Sequence, residues 1–220
     1  MPRVADPHLR ERLIAAATVE FAESGYAGAT LDGIATRAGV TKGGVYFHFA
    51  GKEELFFAVR DHWRDRRRRL LQVPVPSAGG AAAALRTFLG SYLAFHFREP
   101  AATHLLRVLA TELRGRFTAR LREDDRQEQR WLRANVRELL VVGVRDGTLG
   151  VEDPALTAFV LTAAVTGVLE QWQTAPSDVE TYCHEEQLAR LLVARHATGS
   201  PRERADSGDA EFDFRGGRGT

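Results

Sequence analysis

The stretch Thr41-Lys42-Gly43-Gly44-Val45-Tyr46-Phe47-His48-Phe49-Ala50-Gly51-Lys52 decides how this chain is read. It holds both lysines of the protein; the other 28 basic residues are arginines. Thr41, Lys42, Tyr46, His48 and Lys52 are donors suited to phosphate oxygens, and Val45, Phe47 and Phe49 are spaced among them as anchors to a core. Thr41 is placed to cap a helix from Lys42 to about Phe47. Upstream, Thr30 is an N-cap for a short helix, Leu31 to Ala38, that buries Leu31, Ile34 and Ala35, and Gly39 supplies the turn between the two. Two short helices joined by a three- to four-residue turn containing glycine have helix-turn-helix spacing. In that arrangement a helix with one buried face and one donor-rich face reads DNA.

Outward from this motif the whole chain reads as helix. Leu9, Leu13, Ala16, Ala17 and Phe21 recur at helical spacing over Pro7–Ser24, with Asp6 as cap and Gly25 as stop. A fourth helix starts at Lys52, carries Leu55, Phe56, Val59 and Trp63, and runs through the arginines 66–69. That run is read as a solvated face packing its stems, not as a second DNA site. The Pro- and Gly-rich stretch 74–80 marks a joint. Beyond it, helices are expected over Ala81–Phe97, from Pro100 to near Gly115, over Phe117–Arg145 with Gly147 closing it, from Asp153-Pro154 to Gln173, and over Val179–Arg195. The tail from 198 to 220 is polar and Gly-rich, and is expected to be disordered. The fold class is all-α, with about nine helices.

Composition narrows the function. Hydrophobic residues are 44% and charged residues 27%, ordinary for a globular chain. Net charge is +1, and residues 1–60 balance seven Lys/Arg against seven Asp/Glu, so any DNA binding rests on placed contacts and not on a general basic field. The single Cys183 excludes an intrachain disulfide and leaves its redox role open. No signal-like segment opens the chain. The longest apolar run, Thr157–Leu169, falls short of the roughly 18 residues of a membrane span, so no membrane partner is expected. The seven histidines show no metal-ligand spacing, and no nucleophile elbow or phosphate loop occurs. Neither an enzyme nor a cofactor or metal is expected.

The string Ile14–Phe21, Gly25-Tyr26, Thr30, Ile34-Ala35, Ala38-Gly39-Val40-Thr41-Lys42-Gly43, Tyr46, Phe49 and Lys52-Glu53-Glu54-Leu55 resembles the TetR family of bacterial transcriptional regulators. The resemblance spans about residues 8–60. It implies a DNA-binding domain over 7–52, a fourth helix (53–72) that connects, and an effector-binding and dimerisation domain over 80–197. It implies DNA contacts from Thr30, Arg37, Thr41, Lys42, Gly43, Gly44, Tyr46, His48 and Lys52. Thr30 and Thr41 bring helix N-termini to phosphate, Lys42 reaches a phosphate or a guanine edge, and Tyr46, His48 and Lys52 clamp the backbone. Gly43 and Gly44 cost about 1 kcal/mol each inside a helix. Either their small size lets the backbone approach the groove, or they leave a helix that only DNA orders. Base reading then falls to Lys42 and Thr41, with Thr36 and Arg37 as helpers.

The resemblance further implies an effector pocket, for which Phe88, Tyr92, Phe95, His96, Leu105, Leu109, Trp131, Phe159 and Trp172 are the candidate walls. It also implies a homodimer through the last two helices, binding a palindromic operator in double-stranded DNA. The expected protein is a bacterial cytoplasmic, nucleoid-associated repressor released by a small hydrophobic effector. An activator or dual regulator of the same fold is the alternative, and a small-molecule enzyme the remote one.

Overall fold

Local signals set most helix ends in the structure, a computed structural model that describes residues 8–72, 79–115, 117–175 and 184–198. The helices are α1 (Leu9–Gly28), α2 (Leu31–Ala38), α3 (Lys42–His48), α4 (Lys52–Leu70), α5 (Gly80–Arg98), α6 (Pro100–Glu112), α7 (Thr118–Arg145), α8 (Pro154–Thr174) and α9 (Glu185–Ala194), with a 3-10 turn at Leu113–Gly115. The fold is all-α: the described residues hold one isolated β-bridge, Leu149 to Ala197, and no strand. The expected cap Asp6, most of the 74–80 joint, the Val179 start of the last helix, Cys183 and the tail beyond Thr198 lie outside the described residues.

Gly25 breaks the helix where the sequence places its end, but α1 resumes beyond it. The glycine takes φ +65° inside the element, and one more turn follows to Gly28. That kink sets Tyr26 into an aromatic cluster, with ring centroids 6.0 Å from Phe21, 5.2 Å from Phe56 and 5.4 Å from Phe117. Gly39 closes α2 in the left-handed conformation, and the amide of Val40 donates to Ala35 O at 2.9 Å. Asp153 caps α8, its carboxylate accepting from the amides of Ala155 and Leu156.

Two buried clusters divide the apolar side chains. The first joins Leu13, Phe21, Ile34, Val45, Phe49 and Phe56 of the N-terminal helices to Phe95, Leu105, Leu106 and Leu121. The core of the helix-turn-helix region therefore continues into α6 and α7 and does not stop at the 74–80 joint. Inside it, the Trp63 indole donates to Thr18 Oγ at 2.9 Å, tying α4 to α1. The second cluster packs Leu85, Phe88 and Leu89 of α5 with Leu132, Val136 and Leu140 of α7, Leu161 and Val165 of α8, and Val193 of α9.

The N-terminus of α5 has no cap of its own. Asp146, far along the chain, accepts from the Ala81 amide at 2.9 Å, and Thr148 Oγ accepts from the Ala82 amide at 3.2 Å. The Asp146 carboxyl is held below its ordinary pKa, first by the Thr148 hydroxyl and then by the amides of Ala81 and Thr148. A depressed carboxylate pKa stabilises the fold above the unfolded value, and the contribution fades as pH falls through the lower folded value. Asp146→Ala is therefore expected to lower Tm by about 2–4 °C at pH 7. The deficit should shrink below about pH 4 in thermal melts.

α8 departs from the sequence reading. It is 21 residues long with mean hydropathy 1.3 over 18 of them, so by length and composition it could cross a membrane. The helix bounds, Pro154 to Thr174, are those expected within a residue; what differs is that the apolar stretch Thr157–Leu169 alone reads as too short for a span. One side packs on α7, burying Ala158, Leu161, Val165 and Leu169. Its outer side exposes Leu156, Phe159 and Val160, and α9 exposes Leu191.

Candidate nucleic-acid interface and adjoining cavity

The α2–turn–α3 unit is built from its caps inward. Thr30 Oγ accepts from the Gly33 amide at 3.0 Å and Thr41 Oγ from the Gly44 amide at 3.3 Å. Ile34, Ala35, Val45 and Phe49 are buried and hold both helices to α1 and α4. Phe47, expected to share that anchoring, instead points outward and is 79% exposed. At about 100° per residue, a position two after Val45 lies on the opposite side of the helix. Tyr46, four residues after Lys42, is 51% exposed and stands with Phe47 on the outer surface of α3. The His48 ring lies 5.1 Å from that of Phe47 and 6.4 Å from that of Phe49. The exposed residues over 41–49 are thus Thr41, Lys42, Gly43, Tyr46 and Phe47. Phe47 was missed as an outward residue, although the helical angle alone would have found it.

The basic groups of the region are engaged within the chain. Lys42 Nζ donates to Asp32 Oδ2 at 2.7 Å, and this hydrogen bond, with the charge of Asp32, raises the lysine pKa. Arg37 donates to Glu23 at 2.6 Å and lies 3.5 Å from Glu20. Lys52 Nζ donates to the carbonyls of Ala29 (2.9 Å) and Ala27 (3.3 Å) and sits 4.8 Å from the Tyr26 ring centroid. Lys52 therefore pins the corner between α1 and α2, which bears on its expected role as a phosphate clamp. Asp32 and Glu23 were not singled out as partners, because their pairing depends on how α1, α2 and α3 cross.

The two glycines at the start of α3 answer no need inside the chain. A Cβ at Gly43 would meet only Thr41 Oγ at 3.8 Å, and one at Gly44 only Val40 Cβ at 3.5 Å as its nearest neighbour. Neither has a positive φ. Gly33 differs, since a Cβ there would fall 2.5 Å from Glu20 Oε1. Gly44→Ala is expected to stabilise the free protein by up to about 1 kcal/mol. If backbone approach to DNA is what the glycine serves, the same change should weaken operator binding at least tenfold. Thermal melting and binding isotherms would check both halves.

A cavity of about 230 Å³ opens where α4 faces α6, α7 and α8. Its chemistry is not that of the expected hydrophobic pocket. Arg60, Arg64 and Arg67 of α4 face Asp124, Asp125 and Glu128 of α7 across it. Of the nine expected wall residues, Tyr92 and His96 line it. Phe88, Phe95 and Leu105 are core filler, and the side chain of Leu109 lies outside the described part of the structure. Trp131 packs on Phe88 under the Arg68 guanidinium. Phe159 faces outward on α8, 51% exposed, and the Trp172 ring lies 5.2 Å from that of Phe97, tilted by 57°.

The arginine run is the solvated face expected of it at Arg66 and Arg69, which are exposed, but not at Arg67. Positions 60, 64 and 67 share one side of α4, and that side meets the acids of α7. Arg67 is 2% exposed, with Nη2 2.5 Å from Glu128 Oε2. Arg66 instead lies over Trp63 and reaches Glu99 at 3.1 Å. His96 completes the buried network, its Nε2 3.2 Å from Arg67 Nη1 and its Nδ1 2.9 Å from Thr103 Oγ. A guanidinium can only donate, so Nε2 accepts. The proton then sits on Nδ1 and goes to Thr103 Oγ, whose hydroxyl donates to His96 O at 3.0 Å.

Comparison with known proteins agrees with this architecture. Residues 13–59 match the model for bacterial regulatory proteins of the tetR family. An uncharacterized HTH-type transcriptional regulator of Bacillus subtilis, YhgD, is 26% identical over 179 residues, covering 78% of this chain and 89% of that one. The HTH-type transcriptional regulator SrpR of Pseudomonas putida is 54% identical over 50 residues, covering 23% of this chain and 24% of SrpR. Among solved structures, a transcriptional regulator from Rhodococcus sp. RHA1 superposes with a TM-score of 0.67 at 26% identity, covering 87% of this chain and 99% of that one. SmeT, the repressor of a Stenotrophomonas maltophilia multidrug efflux pump, shares the fold, with a TM-score of 0.66 at 22% identity over 86% of this chain and 90% of SmeT.

Proposed function

We propose that this chain, which belongs to the TetR family of bacterial transcriptional regulators, is a repressor that binds a palindromic operator as a homodimer and is released by a small-molecule effector. The observation that carries the reading is the outer face of α3. Val45 and Phe49 hold the helix to the core while Thr41, Lys42, Tyr46 and Phe47 are left outward. Tyr46 hydroxyl and Lys42 supply phosphate donors, and Phe47 supplies an apolar surface for a thymine methyl. Lys42 exchanges Asp32 for DNA on binding, and His48 and Thr41 flank it. Arg37 and Lys52 position the motif through their internal partners.

One such unit with balanced charge binds weakly, and a second half-site supplies the missing affinity. The apolar surface exposed on α8 and α9 (Leu156, Phe159, Val160, Leu191) supports a dimer through those helices. Two-fold symmetry then sets the recognition helices about 34–36 Å apart or a multiple of that. The effector acts by binding one arrangement of the dimer better than the other, a coupling typically of 1–3 kcal/mol.

The test is a gel-shift titration against palindromes upstream of the chain's own gene and its neighbours, with a reporter in a deletion strain. A sequence-specific shift and a reporter that rises on deletion are expected. No specific shift at any such site would end the reading, and a reporter that falls on deletion would make the protein an activator.

A further inference from the structure

Arg60 and Arg67 are 1% and 2% exposed, and both open onto the cavity between α4 and α7. Arg60 is tethered through Nη1 to the carbonyls of Leu105 at 2.8 Å and Leu106 at 3.3 Å. Its approach to the acids is long, with Nε 3.9 Å from Asp124 and Nη2 3.7 Å from Asp125. Burial pulls its pKa below the ordinary guanidinium value, and Asp125 and Asp124 offset this only in part. The Nε of Arg60 and the Nε of Arg67 are buried and make no hydrogen bond among the described residues. Neither oxygen of Glu128 makes one either, despite its contact with Arg67. A buried cation with an unsatisfied donor is costly, and the edge formed by Nε and Nη2 is where a carboxylate docks with two parallel bonds.

Exposure orders the charges by depth. The arginines Arg60 and Arg67 lie innermost, whereas Arg64, Asp124 and Glu128 are 15%, 13% and 14% exposed and Asp125 is 50% exposed. A cationic inner end with acids toward the mouth favours a ligand whose negative group enters first. An amine would have to sit beside those arginines. The volume of about 230 Å³ lies below the roughly 300–1,000 Å³ of drug-sized sites.

We propose, resting on the effector reading above, that this cavity takes a small carboxylic acid whose carboxylate seats between Arg60 and Arg67 and displaces the Glu128 carboxylate. The exchange keeps the local charge balance and removes the Arg67–Glu128 tie between α4 and α7, while Arg64 keeps its pair with Asp124 at 3.1 Å. α4 also carries Lys52 on the carbonyls of Ala27 and Ala29, so the exchange acts on the helix that holds the DNA-reading unit.

The experiment uses the full chain and three matched probe sets: acetate, butyrate and benzoate; their amides; and the corresponding primary amines. Thermal shift and calorimetric titration are the readouts, with operator binding of the ligand-free protein measured in parallel. At least one carboxylate is expected to raise Tm by about 2–4 °C where its amide and amine do not. Glu128→Gln removes the internal competitor and is expected to tighten that carboxylate at least tenfold. A merely structural ion pair would leave the affinity unchanged. Arg67→Gln combined with Glu128→Gln, checked for fold by circular dichroism, is expected to lose binding at least tenfold relative to Glu128→Gln alone. Amides or amines that bind as well as carboxylates, an unchanged affinity in both variants, or no carboxylate binding at all would overturn the proposal. Those outcomes in a protein that still shifts its operator overturn the ligand class alone, whereas loss of the operator shift itself overturns the regulator reading.

Discussion

Lys42→Ala is expected to weaken operator binding about 100-fold, and Asp32→Asn to strengthen it about three- to tenfold. In a two-fold complex each contact occurs twice, so a lysine contact worth about tenfold per half-site is squared. In the proposed complex Lys42 turns to DNA from Asp32, whose carboxylate holds it at 2.7 Å in the free protein. Removing that carboxylate frees the ammonium and takes a like charge away from the phosphates. Both side chains are at least half exposed, at 50% and 66%, so neither change should move Tm appreciably. Anisotropy titrations of a labelled operator across a salt series would measure both effects. The slope of log affinity against log salt should fall by about 2 for the dimer of Lys42→Ala. Unchanged affinity in both variants would remove Lys42 from the interface.

Arg67→Ala is expected to destabilise the fold by about 3–5 kcal/mol, because it removes the partner 2.5 Å from Glu128 and leaves that largely buried carboxylate only the longer 3.6 Å pair with Arg68. Arg67 is 2% exposed and also supports His96 through its Nη1. In a chain of this size the drop in Tm is on the order of 10 °C. The pair replacement Arg67→Met with Glu128→Leu is expected to cost far less than Arg67→Ala, since removing both charges together leaves neither unpaired. Chemical denaturation of the single variants and the pair gives the coupling directly. Additive effects would mean that Arg67 and Glu128 act independently.

The helix ends show why so much of the fold was legible. Thr30, Gly39, Thr41 and the Asp153-Pro154 pair act on backbone groups within four residues of themselves, so their meaning survives without knowledge of the rest. Gly25 shows the edge of that rule, because whether a positive-φ glycine ends a helix or kinks it depends on whether the next turn finds something to bury. Tyr26 found Phe21, Phe56 and Phe117. Phe47 was misplaced by composition, an apolar residue in an apolar series, where the angle from Val45 would have turned it outward.

The cavity was not legible in this way. Leucine and aromatic abundance suggests an apolar pocket, yet those side chains fill the two cores and leave charge to line the space between them. Nothing within a few residues of Arg60 or Arg67 marks them for burial. Their partners Asp124, Asp125 and Glu128 come from a different helix, and Leu105 and Leu106 from a third. The cap of α5 by Asp146 is of the same kind.

By itself, then, the chain's order of residues determined the helices, the helix-turn-helix and the donors on its outer face, because caps, turns and periodicity are short-range physics. Only the tertiary structure decided which of those donors are already held by carboxylates, which arginines are buried, and what chemistry the cavity offers. Burying a charge costs free energy that depends on what lies across the gap, and that is set by helices distant in sequence crossing in space.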